Sequence, residues 1–167
     1  MNSQLINFGL VIGTIQITKR LNLQNTRTKR TILAIYMAAQ SIIVAVSYII
    51  QRRVEAKKDT TVFEYLDQPK FFSKEKKPKL ITTTHMKYDL DQNAQARTKA
   101  LATWAVMMVL YFKFDVVRPL VVQSILPLKH ALESEWAQIH LFGKRALGEL
   151  SRPWKANDPF AALTRGP

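Results

Sequence analysis

Between Ile32 and Ile50 the chain carries no charged residue, no Gly and no Pro. As a helix these nineteen residues reach about 28 Å, the hydrocarbon thickness of a thin bilayer. Lys29 and Arg30 precede the run and Arg52 and Arg53 follow it, as basic anchors do when they reach back to the headgroups. Its polar residues, Gln40, Ser41 and Ser47, read as lying on no single stripe, whereas a soluble helix needs one. The pattern predicts a membrane-spanning helix within segment 21–58, after a basic loop. Asn25 or Thr26 caps the helix, and it runs on through QRRVEAKK into water. A buried helix of a soluble core is the alternative.

A shorter apolar run, Leu5–Ile17, lies in segment 1–20 and reaches only about 20 Å. Ser3, Asn7, Thr14 and Thr18 fall on one side of it, with Gly9 and Gly13 nearly opposite. A G-x-x-x-G lets another helix come close. The reading is a short membrane helix with one wet face and one packing face, or an uncleaved signal anchor. Segment 59–88 changes character: Thr60–Leu66 and Lys79–Tyr88 suit strands, joined by a basic, Pro-containing loop. Segment 89–117 reads as a helix capped by Asp89 that enters the membrane with Ala100–Phe112, Trp104 and Tyr111 lying near the interfaces. Segment 118–137 is an amphipathic helix that starts near Pro119 and is kinked or split at Pro127. Segment 138–167, dense in Gly and Pro, is expected to be extended and held by docking of its apolar side chains, or else flexible. The fold class is therefore mostly α and membrane-bound. Three transmembrane or partly inserted helices carry a small β-hairpin-containing soluble portion, a C-terminal amphipathic helix and an extended tail.

Charge adds a partner class. There are 25 Lys+Arg against 12 Asp+Glu, a net +13, so the chain seeks anions: headgroups, nucleic acid or acidic tails. With no Cys, a disulfide scaffold, a Cys-based zinc site and a thiol nucleophile are excluded. His85, His130 and His140 have no ligand spacing, and no P-loop, G-x-S-x-G or G-x-G-x-x-G occurs. No catalytic residue, metal site or cofactor is expected, and the protein does not read as an enzyme. Polar chemistry at membrane depth remains. Asn7, Thr14, Gln16 and Gln40 are candidates to line a hydrophilic groove, set against simple interhelical hydrogen bonding. Gly9 and Gly13 are candidates for helix packing. Lys70, Phe71, Phe72, Lys74, Lys76 and Lys77 could meet ribosomal RNA or anionic lipid, or form a solvated loop.

The stretches MNSQLINF, QRRVEAKKDTT, ITTTHMKYDL, QSILPLKHALE and IHLFGKRALGELSRPWKA carry a family likeness. In order and over nearly the whole chain, the sequence resembles the fungal endoplasmic-reticulum family of inorganic phosphate transport proteins. That family is also described as the third component of the SRP-independent (SND) targeting pathway. The resemblance implies a multi-pass endoplasmic-reticulum membrane protein that assists targeting and insertion of membrane proteins. The partners it implies are the Sec translocon, the ribosome, other SND components, nascent membrane proteins and membrane lipids. It implies no catalytic residues. The alternatives are a phosphate transporter or transporter-maturation chaperone, and a passive translocon scaffold. Loop 18–31 has five Lys+Arg and segment 51–60 has four, which nearly ties the positive-inside rule. The larger segment 51–99 carries twelve and is expected to be cytosolic.

Overall fold

The computed structural model describes residues 3–67 and 79–154. Helices α1 (Ser3–Arg20) and α2 (Thr26–Lys57) lead to strands β1 (Val62–Asp67) and β2 (Lys79–Thr84). Helices α3 (His85–Phe114), α4 (Arg118–Glu133) and α5 (Glu135–His140) follow, then a 3-10 turn at Gly148–Leu150.

Helix α2 begins where the Asn25 side chain accepts a hydrogen bond from the Arg27 N–H at 2.9 Å. It ends at Lys58, which takes the left-handed conformation of a C-cap (φ 47°). Its 32 residues extend about 48 Å, so its ends stand clear of a bilayer. Ile32, Tyr36, Ala39, Gln40, Ile43, Ser47, Ile50 and Val54 are its buried residues, three or four apart. The exposed side holds Ile35, Ile42, Tyr48 and Ile49. The buried face is mostly apolar, with Gln40 and Ser47 among it, yet the exposed side also carries large apolar side chains where a soluble helix would show polar ones. Among the described residues it is the one helix long and apolar enough to cross a membrane. One sequence reading needs correction. Gln40 and Ser47 do share a stripe, because seven residues bring a helix almost back to the same azimuth. Ser41 lies outside it, donating to the Met37 carbonyl of its own helix at 2.9 Å.

Helix α3 runs back along α2. Lys29 pairs with Asp115, the Trp104 indole N–H meets the Met37 sulfur at 3.3 Å, and Ser47 meets Asn93. Helix α4 runs parallel to α2, with Val117 and Leu120 packed against Ile32 and Tyr36. Helix α1 leans on α4. A second core joins Ile50 and Val54 of α2 to Ala137 of α5.

The strands pair antiparallel from Val62↔Thr84 to Asp67↔Lys79. Past Thr84 no ladder partner remains, and the chain turns at once into α3. Thr84 Oγ1 accepts from the Lys87 N–H at 3.3 Å, while His85 and Met86 donate to the Thr61 and Asp59 carbonyls. So the helix starts at His85, not Asp89, and HMKY is helix rather than strand. Asp89 sits one turn inside, buried. The segment read as an extended tail from residue 138 first completes α5. It then turns through Gly143 and Gly148, both at positive φ, and docks Trp154 in a third core with Tyr88 and Ile139. The basic loop holding Lys70, Phe71, Phe72, Lys74, Lys76 and Lys77, and the tail beyond Trp154, lie outside the described residues. Segment 118–137 divides at Ser134 into α4 and α5, while Pro127 stays within α4.

Candidate functional site: a polar groove within the helix bundle

The inward stripe of α2 meets a polar partner at three levels. Near its middle, Gln40 Nε2 donates to the Gln123 carbonyl of α4 at 3.3 Å. That carbonyl belongs to the residue four before Pro127, and proline has no N–H to give it. The Gln40 amide thus replaces the helical bond that Pro127 removes. Two turns on, Ser47 Oγ donates to Asn93 Oδ1 at 3.0 Å, and Asn93 Nδ2 returns a bond to the Ser47 carbonyl at 2.9 Å. Asn93 is 2% exposed, so this reciprocal pair satisfies groups that could not reach water. One turn further, Arg97 donates to Gln51 Oε1 at 2.9 Å and lays its guanidinium 4.7 Å from the Tyr48 ring centre.

These groups edge an open groove of about 1220 Å³ between α2, α3 and α4. Asn7 of α1, Gln40, Ser47, Asn93, Arg97 and Gln123 supply its polar wall. Asn7 Oδ1 is buried and has no partner among the described residues.

The structure therefore joins Asn7 and Gln40, as the sequence suggested, but not the whole expected set. Thr14 is buried, yet its hydroxyl is spent on the Leu10 carbonyl of its own helix and it does not line the groove. Gln16 is exposed. A Cβ added at Gly9 or Gly13 would meet nothing within 4 Å, so neither glycine serves a contact within the described chain. The covered side of α1 is the one bearing Thr14 and Thr18, because their back-bonded hydroxyls present only methyl groups to a neighbour. Ser47, Asn93, Arg97 and Gln123 escaped the sequence reading. Their signal was present in the spacing of Gln40, Ser47 and Gln51, which one helix face repeats.

At the C-terminal end of α2 the chemistry turns ionic. Asp89, 1% exposed, faces His140 Nε2 at 2.6 Å and takes a two-pronged bond from Arg152, whose Nε donates at 2.6 Å. Arg53 donates to the His140 and Leu141 carbonyls, both at 3.0 Å, and ties α2 to this corner. Above it Phe63, Tyr65, Tyr88, Trp136 and Trp154 form a chain of rings 5.2 to 5.9 Å apart. Burial raises the Tyr88 phenol above its ordinary range, and its oxygen accepts from the Trp154 backbone N–H at 2.9 Å. Hydrogen bonds from Thr61, with a smaller contribution from His85, hold the Asp59 carboxyl down at about 2.

In class, this is a mostly helical protein with a small antiparallel sheet and, among the described residues, one candidate membrane-spanning helix, which sets Gln40 and Ser47 against a groove in the bundle and leaves large apolar side chains exposed on its other side. The chain belongs to the family described as Phosphate transport (Pho88), which it matches over residues 1–166, and the resemblance seen in the sequence is borne out. It is similar to SRP-independent targeting protein 3 of Saccharomyces cerevisiae, with 33% identity over 165 residues, covering 98% of this chain and 86% of that one. An uncharacterized protein of Schizosaccharomyces pombe is 33% identical over 172 residues, covering 98% and 85% of the two chains. The SRP-independent targeting protein 3 homolog of the same yeast is 24% identical over 156 residues, covering 93% and 80%. No solved structure matches.

Proposed function

We propose that this chain is an endoplasmic-reticulum membrane protein that assists SRP-independent targeting and insertion of membrane proteins, beside the Sec translocon and the ribosome. The name of the budding-yeast relative supports the pathway. Helix α2 supports the mechanism: Gln40 and Ser47 reach the groove wall within its apolar run, while Ile35, Ile42 and Ile49 stand exposed on the other side. In this reading α1 and the Ala100–Phe112 part of α3 are also inserted. Each apolar run is only about 20 Å long, so the bilayer thins around them.

The energetics favour such a path for a polar segment. A peptide group moved into hydrocarbon without a partner costs several kcal/mol. Gln40, Arg97 and His130 give the groove wall polar groups that such a segment could meet. The single observation that carries the reading is the inward polar stripe opening on that groove.

Photocrosslinking tests it. A photoreactive residue at position 40 is expected to trap a nascent membrane protein during insertion, and one at position 42, on the outer side, is not. Adducts from position 40 to resident translocon subunits alone would reduce the protein to a scaffold.

A further inference from the structure

A second cavity, about 410 Å³ and open to the surface, lies at the C-terminal end of α2, with Lys144 on the wall of both it and the groove. Lys57, Lys144, Arg145 and Arg152 line it, with Asp59 and Asp89 as its acids. Both acids are already engaged. Asp89 is bonded by Arg152 and His140 on both oxygens; Asp59 receives the Thr61 N–H at 3.1 Å and faces His85 at 3.1 Å. Of the cations, Arg152 alone is paired with a carboxylate. Among the described residues no carboxylate pairs with Lys57 or Arg145, and Lys144 donates at 2.8 Å to the neutral Gln138 amide. His140 also lines the cavity; the residue is 6% exposed and its Nδ1 has no partner among the described residues.

Three features fix the chemistry that fits. Excess positive charge converges from two separate segments, α2 and the loop after α5. Gly143, at φ 70°, lets that loop reverse and bring Lys144 and Arg145 to the same wall. Several cationic donors around one space suit an anion with several oxygens and more than one charge, better than a single carboxylate. The site also has a depth. Lys57 stands seven residues past Ile50, the end of the apolar run, or about 10 Å along the helix. That is headgroup level if α2 spans.

We propose that this cavity binds a phosphate monoester or phosphate ion, held by Lys57, Lys144 and Arg145 against the His140 ring. Lys57, Arg145 and His140 do not line the groove, so the proposal does not rest on the groove's function. Lipid headgroups and free phosphate share this chemistry, and the test separates them.

The full chain, in phosphatidylcholine nanodiscs with isotope-labelled histidine, is titrated with inorganic phosphate, and separately reconstituted with phosphatidic acid. The His140 ring signal is expected to move saturably while that of His130 stays. A response to phosphatidic acid alone identifies the occupant as a headgroup. A response to inorganic phosphate as well identifies a site open to the free anion. The double variant Lys57→Gln/Arg145→Gln, at two exposed positions, weakens binding about tenfold or more. Lys19→Gln/Arg20→Gln removes the same charge from the opposite end and changes binding less than about twofold. Equal losses in the two double variants would reduce the effect to general attraction by a basic protein and overturn the site. A His140 signal unmoved by both probes would overturn it as well.

Discussion

The middle of α2 and its C-terminal end are fastened in different chemical languages. Through its middle, the contacts to α3 and α4 are neutral: an amide on a carbonyl at Gln40, and a hydroxyl and an amide exchanged between Ser47 and Asn93. Past Arg52 and Arg53 the contacts are ionic and aromatic: Asp89 with Arg152 and His140, and a chain of rings through Tyr88, Trp154 and Trp136. The division follows the solvent. In hydrocarbon an ion is far costlier than an amide, and neutral polar pairs give modest but sufficient adhesion. Where headgroups and water begin, a buried carboxylate can be held by a guanidinium and an imidazole, and rings can close the site. If α2 spans as proposed, the change of bonding between Gln51 and Arg53 falls where the hydrocarbon should end, and it does so without reference to hydropathy.

The comparison breaks most visibly at Asp89. Asp89→Ala leaves the Arg152 guanidinium buried and unpaired, which costs about 3–5 kcal/mol. The segment around Trp154 is expected to come away, read as fast proteolysis after residue 140 and a shift in tryptophan emission, with the α2–α3 contact intact. Next comes Tyr88→Phe. It leaves the Trp154 N–H without its acceptor and costs about 1–3 kcal/mol, measured by thermal unfolding of the same segment. In the bundle, by contrast, Ser47→Ala should cost only about 0.6 kcal/mol, since polar contacts in membranes average that much. Steric trapping in bicelles would measure it. A loss as large as that at Asp89 would mean that water does not leave this level, and the contrast would fail.

The smallest effect is at Asp59. Its folded carboxyl is held at about 2, below its ordinary 3.8. A depressed carboxyl contributes stability above the unfolded value and loses it as pH falls through the folded one. The junction of hairpin and α3 should therefore loosen only between about pH 4 and pH 2, followed by the ring signals of Phe63 and His85. The side chain is 43% exposed, so the change is slight beside that at Asp89. Loosening at neutral pH would place the control elsewhere.

Local signals in the sequence read well. The uncharged run, its basic flanks and the Asn25 cap gave α2, and Thr- and aromatic-rich stretches gave the hairpin. Contacts between distant residues did not read. Asp89 looked like a cap because a capping Asp and a buried Asp have the same neighbours in sequence; Arg152, 63 residues on, is what separates the cases. The start of α3 was misplaced because β1, not β2, decides where the ladder stops. Half of the groove was legible, in Asn7 and Gln40. The other half lies on α3 and α4: Asn93 sits in a hydrophilic stretch, and Gln123 takes part through its backbone carbonyl, which no side-chain pattern marks.

Pro127 has one more effect. Because its missing N–H leaves a single carbonyl of α4 to be met by a single amide of α2, those two rods can mate at one height only. Sliding one turn, about 5 Å, would strand both groups in oil. The proline is a detent: the bundle can open sideways at little cost, but it cannot telescope.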